Sequence, residues 1–112
     1  MNALGRLMES LDSTSDVYVN AGVDEASHFQ GLRESILASL CEPQLVRAVV
    51  MPPGFPGLAI GDSIEGVCLA QSQGYWLVYR ELDDQFYCFW GTSADKLGAH
   101  GVFGSPLYCW SA

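Results

Sequence analysis

GYWLVYRELDDQFYCFWG, residues 74–91, decides the fold. Two runs of aromatic and aliphatic side chains, 74–81 and 85–91, flank the short polar connection 82–84. Aromatic and β-branched residues suit a pleated strand, and so brief a connection suits an antiparallel hairpin. Alternation sets Trp76, Val78 and Arg80 on one side and Tyr75, Leu77, Tyr79 and Glu81 on the other. One face is therefore expected to be buried and the other partly covered. Glu81, Asp83 and Asp84 then fall at a tip or sheet edge, either as a solvated turn or as a contact for something basic.

Upstream, 64–70 reads as a further strand joined to the hairpin by QSQG, and the apolar, β-branched run from Gln44 to Met51 reads as another. The segment PPGFPG, residues 52–57, continues neither helix nor sheet and is expected as a structural turn. Before the strands lie two helical patterns. Ala3, Leu4, Leu7, Met8 and Leu11 recur at helical spacing opposite Asn2, Arg6, Glu9 and Asp12, and the polar cluster 12–16 ends that segment. Phe29, Leu32, Ile36, Leu37 and Leu40 form a second stripe, begun either by a Ser27–Gln30 capping box or by Asp24, and stopped near Glu42 by Pro43. Downstream, a one-turn helix at Ala94–Leu97, a glycine-punctuated loop and a last strand at Leu107–Trp110 are expected. The fold class is α+β, with two N-terminal helices packed on an antiparallel meander of about four to five strands.

Length and composition bound the function. A chain of 112 residues suits one domain, 1–112, and with 49% hydrophobic residues it has material for a core without metal or disulfide staples. Thirteen acids against five basic residues give a net charge of −8. Phosphate backbones attract Lys and Arg, so direct nucleic-acid binding is not expected. Such charge either keeps a rather apolar protein soluble or attracts basic proteins. Arg6, Glu9 and Asp12 interrupt the start, so no secretory signal is expected, and no run approaches the ~18 apolar residues of a membrane span. The expected address is the cytoplasm. There, Cys41, Cys68, Cys88 and Cys109 are expected as reduced core thiols, without the spacing of a zinc site.

No constellation predicts an enzyme. His28 and His100 are the only histidines, and the loop LGAHGVFG brings His100 near Cys88 or Cys109 only if the fold does so. Gly91, Gly98, Gly101 and Gly104 match no phosphate-binding pattern, and Asp83 and Asp84 belong to a tip rather than a cleft. Catalytic residues, metal and cofactor are all expected to be absent. What remains is surface recognition, with aromatic anchors for affinity and charges for encounter. The expected partner-binding residues are Glu81, Asp83, Asp84, Asp62, Glu65, Tyr79, Tyr87 and Trp90.

The same hairpin resembles the small immunity proteins of bacterial polymorphic toxin systems, of the contact-dependent or type VI/Rhs-like kind. The matching positions are Trp76, Val78 and Tyr79 on the first strand, Asp83 and Asp84 at the turn, and Phe86, Phe89 and Trp90 on the second. The resemblance covers at most the C-terminal half and assigns no subfamily. It implies a small, acidic, cytoplasmic, non-enzymatic protein that occludes a cognate toxin domain encoded next to it. A basic nuclease would suit the acids at the tip. The alternatives are an acidic, nucleic-acid-mimicking inhibitor of a host nuclease complex, of anti-restriction or anti-CRISPR type, and an enzyme or ligand module built on the His100 loop. A structural subunit is a fourth reading.

Overall fold

The computed structural model describes residues 2–111. The chain is α+β: helices α1 (Ala3–Ser10) and α2 (Glu25–Ala38) precede strands β1 (Leu40–Val50), β2 (Ser63–Ser72), β3 (Tyr75–Arg80), β4 (Gln85–Trp90) and β5 (Leu97–Gly104), and α3 (Pro106–Ser111) closes the order. The hairpin forms as its alternation predicts, with Tyr75 opposite Trp90 and Arg80 opposite Gln85. Antiparallel pairing runs from β1 through β5. The meander does not stay open: Ala48–Val50 pair in parallel with Leu97–Ala99 and close it into a barrel.

Two cores follow from the two faces of the strands. Val46, Ala48, Ile64, Trp76, Val78, Phe89 and Leu97 fill the barrel interior. The opposite face of β3 and β4, with Leu77, Tyr79, Phe86 and Cys88, is buried beneath Leu7 and Leu11 of the α1 segment, Ile36 of α2, and Leu107, Cys109 and Trp110 of α3. A register shift in β2 leaves Leu69 between the Cys68–Val78 and Ala70–Leu77 pairs, so the strand changes face and Ala70 joins the helix-side core.

Three local expectations in the C-terminal part are corrected. The glycine-punctuated segment 97–104 is not a loop but the closing strand: Leu97 and Ala99 point inward, and pairing on both sides supplies what glycine propensity lacks. At Gly101, φ is +90°, and a Cβ there would lie 2.9 Å from the Gly54 carbonyl oxygen, so glycine admits the 51–62 loop against β5. The segment 107–110 is helix rather than strand. Ser105 accepts a hydrogen bond from the Tyr108 amide at 3.2 Å and Pro106 occupies the first helical position, a strong start signal. Residues 94–97 make a turn into β5 instead of a helix.

The helices also differ from two N-terminal packing elements, because α3 at the C-terminus takes a central share of the helix-side core. Of the two starts weighed for α2, Asp24 is the cap, accepting from the Ser27 amide at 3.3 Å. The helix ends at Ala38, and Pro43 lies inside β1, where the register shifts between Leu40 and Gln44. Among the described residues, no helix is long and apolar enough to cross a membrane.

Candidate functional site

The hairpin tip divides its acids. Asp84 takes a left-handed backbone, φ 54°, which Asp tolerates better than most residues, and this turns its carboxylate toward α1. There Arg6 grips it with two bonds, Nε to Oδ1 at 2.8 Å and an Nη to Oδ2 at 3.1 Å, while the Tyr79 hydroxyl donates to Oδ1 at 2.6 Å. Bonds to Arg6 and then Tyr79 favour the ionised carboxyl and pull Asp84 down to about 2. The same carboxylate, with burial, pushes the Tyr79 phenol up to about 12. Asp83 faces the barrel mouth, where it accepts from Arg80 at 3.0 Å and from the Tyr87 hydroxyl. Burial, followed by that bond, pushes Tyr87 up to about 12.

Glu81 and Leu82 form the other half of the tip and turn outward. Leu82 is 82% exposed, an unusual position for a leucine flanked by carboxylates. Beside them, β2 continues past its last pairing with β3, Val67 with Tyr79, so Ser63–Gly66 pair only with β1 and a cleft opens. It has a volume of about 370 Å³ and is lined by Leu45, Glu65, Gly66, Val67, Glu81 and Leu82, among others. Gly66 is required at its floor, since a Cβ would stand 2.6 Å from the Tyr79 carbonyl oxygen. A second hollow of about 400 Å³ continues toward α1 along Leu4, Pro43, Val67, Tyr79 and Glu81. Because the two share Val67, Tyr79 and Glu81, they make one groove with an apolar bed and an acidic rim. Leu45, at the cleft wall, is 66% exposed.

The expected partner-binding residues therefore separate. Glu81, Glu65 and Tyr79 meet in the groove, with Glu65 also paired to Arg47 at 3.3 Å. Asp83 and Asp84 stand at the tip but are held by the protein's own groups. Tyr87 is buried against Phe55 and Phe103. Asp62 caps a turn by accepting from the Ala59 amide at 2.9 Å. Trp90 lies at the far end of the hairpin against Tyr75 and His100. Sequence reading passed over Leu45, Pro43 and Leu82. Leu82 carried the one available signal, an apolar side chain inside ELDD.

The other constellations are likewise placed. His100 is exposed on the outer barrel face and packs on Trp90, whereas Cys88 and Cys109 are buried in the helix-side core. Burial pushes the Cys88 thiol up to about 12 and Cys109 well above its ordinary value. Among the described residues, no group of three or more His, Cys, Asp or Glu side chains is arranged to hold a metal ion.

All four arginines are tied to acids: Arg6 to Glu9 and Asp84, Arg33 to Asp12, Arg47 to Glu65, and Arg80 to Asp83. Five of the thirteen acids are thereby paired, leaving eight without a basic partner among the described residues. Comparison with protein-family models, curated proteins and solved structures yields no match for this chain.

Proposed function

We propose that this protein is a stoichiometric inhibitor of the immunity type, which binds a cognate bacterial toxin domain and occludes its active site or substrate-binding surface. The observation that carries the reading is the pairing of every arginine with an internal acid. The arginines that would have welcomed phosphate or an acidic partner are engaged, and the charge left unpaired among the described residues is eight acids against Lys96. Such a surface attracts a basic protein and speeds encounter.

The groove supplies what charge alone lacks. Leu4, Leu45 and Leu82 offer apolar area for an anchor, and Glu81 and Glu65 stand at its rim. A partner that lays a basic, partly apolar segment there buries about 1,600 Å² in a typical complex, with few residues carrying most of the affinity. A nuclease domain, basic around its phosphate-binding cleft, fits this description. The cytoplasm, where such a toxin acts, is the corresponding address.

The test is co-expression with the product of the neighbouring reading frame, scored by survival and co-purification. Rescue together with a stable complex is expected. The paired substitution Glu81→Lys with Leu82→Ala should then lower affinity at least about tenfold without altering the fold. A harmless neighbour that does not co-purify would remove the reading.

A further inference from the structure

The four cysteines fall into two unlike pairs. Cys88 and Cys109 lie deep in the helix-side core, 1% and 0% exposed. Cys41 and Cys68 are on neighbouring strands, with their sulfur atoms 3.9 Å apart. Cys68 is buried in the barrel interior, but Cys41 is only half-buried. The contact is made by the irregularity at the start of β1. Leu40 pairs with Ala70 and Gln44 with Cys68, so Cys41, Glu42 and Pro43 bulge opposite Leu69 alone. Cys41 thereby turns back onto the barrel interior while one side still meets solvent.

We propose that Cys41 and Cys68 are a peroxide-responsive dithiol, with Cys41 as the sulfur that meets the oxidant and Cys68 as the resolving thiol. In the first step the Cys41 thiolate sulfur attacks one peroxide oxygen. An S–O bond forms, the O–O bond breaks, and the departing hydroxide takes a proton to become water. Cys41 is then a sulfenic acid. In the second step the Cys68 sulfur attacks the Cys41 sulfur, the S–S bond forms, and the S–O bond breaks. Hydroxide leaves and takes the Cys68 proton as a second water. Two thiols lose two electrons and two protons, and the peroxide is reduced to two waters.

Burial, and next the neighbouring Cys41, push the Cys68 thiol up to about 12. Cys68 is therefore a poor first nucleophile toward an oxidant in solution. Its role requires only that it meet a sulfur already held beside it, and such proximity substitutes for reactivity. Closing the gap to a bonded distance of about 2.05 Å needs side-chain rotation at the bulge, where Cys41 is not held in a regular ladder pair. The inference is independent of what the groove binds.

The full-length chain, reduced and then exposed to hydrogen peroxide, tests it by peptide mapping under non-reducing conditions. The expected product is a monomer lighter by about 2 Da, cross-linked between the Cys41 and Cys68 peptides, with Cys88 and Cys109 still alkylated after unfolding. Because the bridged residues are 27 positions apart, the melting temperature should rise by on the order of 10 °C and fall back on reduction. Cys41→Ser should abolish the cross-link and leave the Cys68 thiol free. Cys68→Ala should accumulate a dimedone-reactive sulfenic acid at Cys41. A bridge to Cys88 or Cys109, sulfinic acid at Cys41 with Cys68 still reduced, or four intact thiols would each overturn the assignment, and the wild-type map alone suffices if Cys68→Ala does not fold.

Discussion

The inner and outer halves of one four-residue turn do opposite work. Asp83 and Asp84 hold the hairpin to the barrel mouth and to α1 through Arg80, Tyr87, Arg6 and Tyr79. Glu81 and Leu82, immediately before them, turn toward the groove. The difference teaches that adjacency of like charges in sequence says nothing about shared purpose. An acid beside a buried phenol and a guanidinium is part of the scaffold, while an acid beside an exposed leucine is available for encounter.

The strongest way to break the comparison is Asp83→Ala. It removes the acceptor shared by the Tyr87 hydroxyl and the Arg80 guanidinium, and should cost about 2 kcal/mol in urea unfolding. A cost no larger than that of Glu81→Ala would show the turn to be uniformly solvated. Asp84 sharpens the contrast through pH. Its folded carboxyl is depressed from 3.8 to about 2, so the stability it contributes is present above about pH 4 and is lost as pH falls toward 2. Asp84→Asn should lower stability at neutral pH and flatten that acid limb, which thermal melts between pH 5 and pH 2 will read.

Tyrosine gives the mirror effect at high pH. The Tyr79 phenol, raised from 10.0 to about 12, contributes stability that is complete below pH 10 and disappears as pH rises through 12. Tyr79→Phe should reduce the alkaline limb, and circular dichroism between pH 9 and pH 12 would record it. The smallest effect belongs to the outer half. Glu81→Gln and Leu82→Ala should each leave unfolding within about 0.5 kcal/mol of wild type. A loss above about 1 kcal/mol would place them in the scaffold with their neighbours.

These destinations also mark how far the sequence could be read. The β3–β4 hairpin was legible because alternation and a short polar turn are local signals, and its strands lie where the residues 74–91 suggest. The start of α2 was legible only to within a few residues, since Ser27 with Gln30 and Asp24 both carry local cap signals and the fold uses Asp24. The segment 97–104 was not, since three glycines there depress strand propensity and only pairing with both β1 and β4 makes it a strand. For α3 a local signal existed, Ser105 followed by Pro106, but the apolar alternation of LYCW masked it. The acidic tip was legible as a tip. Its division was not, because the guanidinium that claims Asp84 lies 78 positions away.

The parallel seam between Ala48–Val50 and Leu97–Ala99 has a consequence for the order of events on the ribosome. A chain emerging from its N-terminus can assemble β1 through β4 as a meander, but β1 keeps an unsatisfied edge until residues 97–99 have left the tunnel. Asp16 likewise waits for Ser105, which donates to it from both its amide and its hydroxyl at 2.9 and 2.6 Å. Contacts this distant in sequence slow folding, and the open edge is a site for pairing with other nascent chains. The last strand therefore acts as a late fastener whose arrival ends the period when the molecule is most prone to aggregate.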